Sequence, residues 1–156
     1  MSRTIEIAPL RKTLVVAAAQ AHAFDVFTNG IDRWFPRSHS IGASPLLRSV
    51  VESRLGGRWY SVHEDGSEAV IGVMKVWEPP HRIVFSWEIN AQWKADAGVA
   101  SEVEVTFTAE GPSSTRVALE HRGFEALGAE GGAKMRGDVD RGWPLILDLF
   151  KQAAEA

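Results

Sequence analysis

The chain contains no cysteine. Disulfides, thiolate nucleophiles and zinc–thiolate centres are therefore excluded, and the absence fits a reducing compartment, so a cytoplasmic location is expected. Tyrosine is nearly as scarce, with one residue against six tryptophans and seven phenylalanines. Much aromatic volume thus comes with few hydroxyl handles, as in a large core or a greasy cavity. No apolar run approaches the roughly 20 residues of a membrane-spanning helix. Basic blocks are missing as well. The net charge is −3, with lysine and arginine scattered along the chain, so neither nucleic acid nor membrane insertion is expected. No Gly-x-Gly-x-x-Gly or phosphate loop occurs, and no nucleotide cofactor is expected.

With 156 residues, the chain has the size of one domain, expected over 1–156. A chain this long buries roughly 70% of its unfolded surface, so its core needs no covalent staple. The N-terminus imitates a secretion signal: Arg11 and Lys12, then Leu14 to Ala19, then Ala21 and Ala23. The apolar run is too short, however, and Glu6 spoils the basic leader. A buried first strand is the better reading.

That strand is expected over Arg11 to Ala18. Ala23, Phe24, Val26 and Phe27 then stand at helical spacing between Gln20 and Asn29, with Gly30 as a stop. Ile31 to Phe35 reads as a second short helix closed by Pro36, and 37–45 as a loop. From Val50 the period changes to two. Strands are expected over Val50 to Arg54, Arg58 to His63, Ala69 to Trp77, Arg82 to Ile89, Ser101 to Ala109 and Thr115 to Arg122. Gly56-Gly57, Asp65-Gly66, Pro79-Pro80 and Gly111-Pro112 separate them as turns. Val103, Val105 and Phe107 alternate with glutamate and threonine, which marks an antiparallel sheet covered on one face. Its cover is a C-terminal helix presenting Met135, Val139, Trp143, Ile146, Leu147, Phe150 and Ala154 at spacings of three and four. Glu130 to Gly132 reads as a loop leading into that helix. Pro144 removes a backbone bond to Asp140 inside it and is expected to bend it.

Five segments, in order, resemble a known family. Glu78-Pro79-Pro80-His81-Arg82-Ile83-Val84-Phe85-Ser86-Trp87 is similar to the turn-and-strand signature of the heat-shock protein 90 ATPase activator homologue-like domains, a branch of the START-like (SRPBCC) superfamily. Ile31-Asp32-Arg33-Trp34-Phe35 resembles its short second helix, and Gly56-Gly57-Arg58-Trp59-Tyr60 the lead-in to its third strand. Val103 to Phe107 and Thr115 to Phe124 resemble its last two strands, and Gly142-Trp143-Pro144 through Phe150 its final helix. The resemblance implies an α+β helix-grip fold. In it a curved antiparallel sheet of about six or seven strands wraps around a long C-terminal helix, with two short helices between strands 1 and 2. It allows a chaperone or a second copy of the chain as partner, while the aromatic residues point to a small hydrophobic or aromatic molecule held between sheet and C-terminal helix without catalysis.

For a binding site the aromatics are the main signal. By alternation Trp59, Trp87 and Phe107 face the concave side of the sheet, with Trp143 opposite on the helix and Trp34 and Phe35 closing one end. Trp93, outside any strand, is placed as a lid. His63 and His121 lie on strands, and His121 shares the inward register of Val117 and Leu119. Either histidine could serve as a polar anchor on apolar walls. The expected ligand-binding set is therefore Trp34, Trp59, His63, Trp87, Trp93, Phe107, His121 and Trp143.

Catalytic signals are poor by comparison. None of the five histidines is paired at metal-ligand spacing, so no metal site is expected. Gly42-Ala43-Ser44-Pro45 lacks the second glycine of a nucleophile elbow. Glu102 and Glu104 belong to the wet face, and Glu120 points away from His121. Glu52 and Arg54 share a face and could pair across the pocket mouth or with neighbouring strands. No catalytic residue is assigned; the rivals are a protein-binding module and a cyclase- or hydrolase-like enzyme using a pocket histidine.

Overall fold

In the computed structural model, which describes residues 6–39, 41, 42 and 44–156, the chain begins with β1 (Leu10–Val16), α1 (Gln20–Phe27) and α2 (Ile31–Trp34). Five strands follow: β2 (Leu46–Val51), β3 (Arg58–His63), β4 (Glu68–Glu78), β5 (Arg82–Trp87) and β6 (Ser101–Gly111). β7 (Ser114–Arg122) and α3 (Gly128–Glu155) complete the order. Ser40 and Ala43, in the loop expected over 37–45, lie outside the described residues, as does 1–5 of the expected domain. Among the described residues no helix is long and apolar enough to cross a membrane.

The strands form one antiparallel sheet in the order β1-β7-β6-β5-β4-β3-β2. Connections from β2 to β7 therefore join spatial neighbours. Only the step from β1 to β2 crosses the sheet's full width, and α1 and α2 make that crossing. This is the helix-grip α+β architecture. α3 lies against the concave face, burying Met135, Val139, Trp143, Ile146, Leu147, Phe150 and Ala154, the stripe its spacing predicts. Irregularities in the ladder help curve the sheet. Register shifts occur in β2 between Leu46 and Arg48, in β4 opposite Trp59 and Tyr60, and again in β4 between Met74 and Val76. Gly72 sits in this curved stretch because a Cβ there would lie 1.6 Å from the Ser86 carbonyl oxygen.

Most element boundaries shift by one or two residues from the sequence reading, and two differ more. β2 starts at Leu46 rather than Val50, because its bulge breaks the period-two pattern that would reveal it. Glu130 to Gly132 is not a loop but the first part of α3. Gly132 is required there for close packing: a Cβ would lie 2.3 Å from the Phe124 carbonyl oxygen.

The convex face is polar, as the glutamate and threonine pattern requires. Arg122 binds Glu102 at 2.8 Å and Glu104 at 2.6 Å, Lys75 reaches Glu102 at 2.6 Å, and Arg82 binds Glu104. Such half-exposed pairs contribute only about 0–1 kcal/mol each. They do keep this side of the sheet charged.

Candidate functional site

The aromatic side chains on the concave face form one continuous string. It runs from Phe24, Phe27 and Phe107 through Trp34 and Phe35 to Trp59, then Trp87, and branches there to Trp93, Trp143 and His121. Most contacts are edge-to-face or tilted. Rings packed in that way leave gaps where small side chains do not fill the angles between them.

One such gap is a cavity under α3. β3 supplies Trp59 and Ser61, the β4 bulge Ile71, and the β5 end Trp87 and Ile89; α3 supplies Val139, Gly142, Trp143 and Ile146. Phe35, His39, Ile41 and Trp93 also line it. An outer vestibule bounded by Ser38, His39, Trp93, Asp138 and Gly142 shares three of these residues, which locates the mouth. Counted out to the mouth, the empty space is about 570 Å³. The inner part is narrow: the centre of a water molecule has about 40 Å³ available, room for a few waters. The smaller figure governs what fits without movement, so a fused-ring guest must displace part of the wall.

Trp93 is the wall residue best placed to move. It lies outside the strands and its backbone is in the left-handed region at φ 60°, which costs energy for any residue with a Cβ. A single polar contact holds its indole, with Nε1–H donating to Asp138 Oδ2 at 2.9 Å. Lys134 and Arg141 also bind Asp138. Burial opposes ionisation of this carboxyl, but the hydrogen bonds from Lys134 and Trp93 outweigh it and hold its pKa below the ordinary value.

The two strand histidines occupy different places. His121 is fully buried behind the cavity, stacked on Phe124 and set against Trp87. Its Nδ1 accepts from Trp143 Nε1–H at 3.2 Å, so Nε2 carries the proton and donates to Ser101 Oγ at 2.8 Å. Burial pushes its pKa down to about 3. At neutral pH it is an uncharged spacer that holds Trp143 in place. His63 is equally buried at the end of β3. Its Nδ1–H donates to the Ser44 carbonyl at 2.8 Å, which leaves Nε2 to accept from the Ser61 hydroxyl at 2.8 Å. Gly42 crosses the imidazole so closely that a Cβ would come within 2.3 Å of it. Ser61, on the cavity wall, therefore turns its oxygen lone pairs rather than its proton toward the space.

Of the eight residues expected to bind ligand, Trp59, Trp87, Trp93 and Trp143 line the cavity. Trp34, His63, Phe107 and His121 do not. Phe107 faces inward but packs on Phe24 and Phe27 at the α1 end, and Trp34 is tied by its Nε1–H to the Val26 carbonyl at 2.8 Å. His63 reaches the cavity only through Ser61. Glu52 pairs with Arg54 and Arg58, away from the cavity lining. Sequence reasoning passed over Ser61, His39 and Gly142. Ser61 was findable, because it shares the inward register of Trp59; the others depend on how the loop and the helix are placed.

Residues 17–155 match the family model described as activator of Hsp90 ATPase homolog 1-like protein. The chain belongs to that family. Solved structures agree with the assignment. This family member is 33% identical to an anthrahydroquino-γ-pyrone synthase, Txn09, covering 95% of this chain and 97% of that one with a TM-score of 0.64. It is 29% identical to the self-sacrificing resistance protein CalC from Micromonospora echinospora, covering 94% and 93% with a TM-score of 0.69. An Hsp90 activator from Plasmodium falciparum shares the fold at 20% identity, over 73% of this chain and 71% of that one, with a TM-score of 0.51. No curated protein matches the chain.

Proposed function

We propose that this family member binds a small hydrophobic or aromatic molecule in the cavity between the sheet and α3, as a holder rather than a catalyst. The observation that carries this reading is the wall itself: four indoles, Trp59, Trp87, Trp93 and Trp143, surround free space instead of packing solid. Such apolar walls with a few polar groups are what small-molecule sites are made of. The likeness to a synthase and to a resistance protein, both near 30% identity, supports a site that handles small molecules. A chaperone partner fits less well. The convex face is charged, and the large hydrophobics exposed among the described residues, Val15, Leu47, Leu55 and Leu145, come from different segments of the chain.

Native mass spectrometry of freshly purified protein tests the reading, since a retained guest adds its mass. Indole emission should also respond to an added naphthalene sulfonate. Protein that purifies empty and whose emission no apolar probe alters would sink the proposal.

A second reading is favoured by one contact. The Ser61 hydroxyl on the cavity wall is hydrogen-bonded to His63, and a backbone carbonyl selects the tautomer that leaves Nε2 as a base. With the synthase likeness, this supports an enzyme that moves a proton at Ser61. Recovery of unchanged guest from wild type and from His63→Ala alike would rule it out. Product formed by wild type alone would put it first.

A further inference from the structure

The buried indole nitrogens of Trp59 and Trp87 have no hydrogen-bond partner among the described residues. Both side chains are more than nine-tenths buried, at 3% and 4% exposure. Both rings line the cavity, and their centroids are 6.1 Å apart. The remaining indoles whose nitrogens lie in this region are satisfied: Trp34 by Val26, Trp93 by Asp138 and Trp143 by His121. An indole N–H is a donor and nothing else. Left unpaired in an apolar interior it is costly, and native proteins rarely leave one so without a reason. Here two neighbouring donors are left so, in the wall that borders the cavity beneath α3.

Resting on the reading that the cavity holds a guest, we propose that the guest is an uncharged aromatic molecule bearing a carbonyl-type oxygen, and that the Trp59 and Trp87 N–H groups donate to it. The other wall groups agree with this chemistry. Aliphatic and aromatic carbon supplies most of the lining, and among the described residues no acidic, lysine or arginine side chain borders the inner cavity. An ionised guest would therefore meet no counter-charge, whereas a ketone or pyrone oxygen meets two donors. Ser61, with its proton given to His63, adds an acceptor at the same wall. A ring hydroxyl on the guest could donate to it.

The test uses wild-type protein and two probes of similar shape, chromone with a carbonyl acceptor and naphthalene with none. The six indole N–H resonances are followed by proton–nitrogen correlation NMR and assigned from single Trp→Phe variants. Chromone should move the Trp59 and Trp87 N–H signals downfield, as formation of a hydrogen bond does. Naphthalene should enter without that shift. A double-mutant comparison controls for the different hydrophobicity of the probes. Trp59→Phe and Trp87→Phe should each weaken chromone roughly tenfold more than they weaken naphthalene, a difference of about 1.4 kcal/mol. If both probes bind and neither indole signal moves downfield, the acceptor assignment is overturned while the cavity reading stands. If neither probe binds or perturbs any indole, the cavity reading fails and takes the assignment with it. The NMR result on wild type decides the matter even if a variant does not fold.

Discussion

At the scale of single residues, His121 shows how completely surroundings can set a role. Indole N–H on one side and a serine hydroxyl on the other use both ring nitrogens of the neutral form. Adding a proton at Nδ1 would set two donors head-on inside an apolar shell of Trp87, Phe124 and Trp143. The stability consequence has a definite sign. In the unfolded chain the imidazole titrates near 6.5, and in the folded chain burial lowers this to about 3. Above pH 6.5 neither state is protonated and the histidine adds no slope. Below it the unfolded state takes up a proton that the folded state refuses, so stability falls as pH falls, until both states are protonated near pH 3. At pH 5 the loss relative to pH 7 is about 2 kcal/mol. Denaturant unfolding at pH 7 and pH 5 measures it, and His121→Asn, which cannot titrate, should lose that difference whatever its baseline stability. An equal pH response in the variant would show that His121 is not the group responsible. Alternation had placed this histidine inward, and the inward side is where it lies. Alternation could not say where along the sheet an inward residue falls. For that reason Phe107 and His121 share a face with Trp59 and Trp87 yet do not line the cavity, and the strand pairing tells them apart.

The elements carry a similar lesson. β6 and β7 were legible because each alternates cleanly over a long run. β2 and the first turn of α3 were not. A bulge hides one, and in the other a Gly-Gly pair reads as a break although its second member, Gly132, serves close helix packing. Gly142 is the opposite case within the same helix. A glycine in a helix interior is usually a weakness, costing about 1 kcal/mol relative to alanine. Here no atom stands within 4 Å of the position its Cβ would take, and the residue borders both the cavity and the vestibule. A side chain at 142 would project into the mouth. Two substitutions separate the consequences. Gly142→Ala should stabilise the helix by up to about 1 kcal/mol and leave probe binding nearly unchanged. Gly142→Phe should fold as well as wild type but slow or abolish entry of a naphthalene sulfonate, seen as loss of the fluorescence rise on stopped-flow mixing. If Gly142→Phe takes up the probe as fast as wild type, the mouth is elsewhere. Trp93→Ala then becomes informative, because removing the ring that Asp138 holds should speed both entry and exit.

For the whole molecule, the cavity's position ties binding to folding. Its walls come from β2, β3, β4, β5, the segment after α2, the turn carrying Trp93, and α3. These are brought together only in the folded state, and the lining residues Trp59, Ile71, Trp87, Val139, Trp143 and Ile146 belong to one continuous core cluster. A guest in this space therefore binds the folded chain and has no corresponding site in the unfolded one. By mass action, a free concentration one hundred times the dissociation constant then adds about 2.7 kcal/mol of stability. For a chain of this size each kcal/mol raises Tm by roughly 2–4 °C, so saturation with chromone should raise Tm by about 5–10 °C. The shift should grow with the logarithm of free ligand concentration. Trp59→Phe supplies the control, since a weaker dissociation constant should shrink the increment measured against that variant's own Tm at the same chromone concentration. A probe that binds the charged convex face instead would shift both proteins alike. Differential scanning calorimetry over a series of chromone concentrations distinguishes the cases. If fluorescence shows chromone bound while Tm stays fixed at every concentration, the guest is not held in a site that folding builds, and the cavity cannot be where it sits.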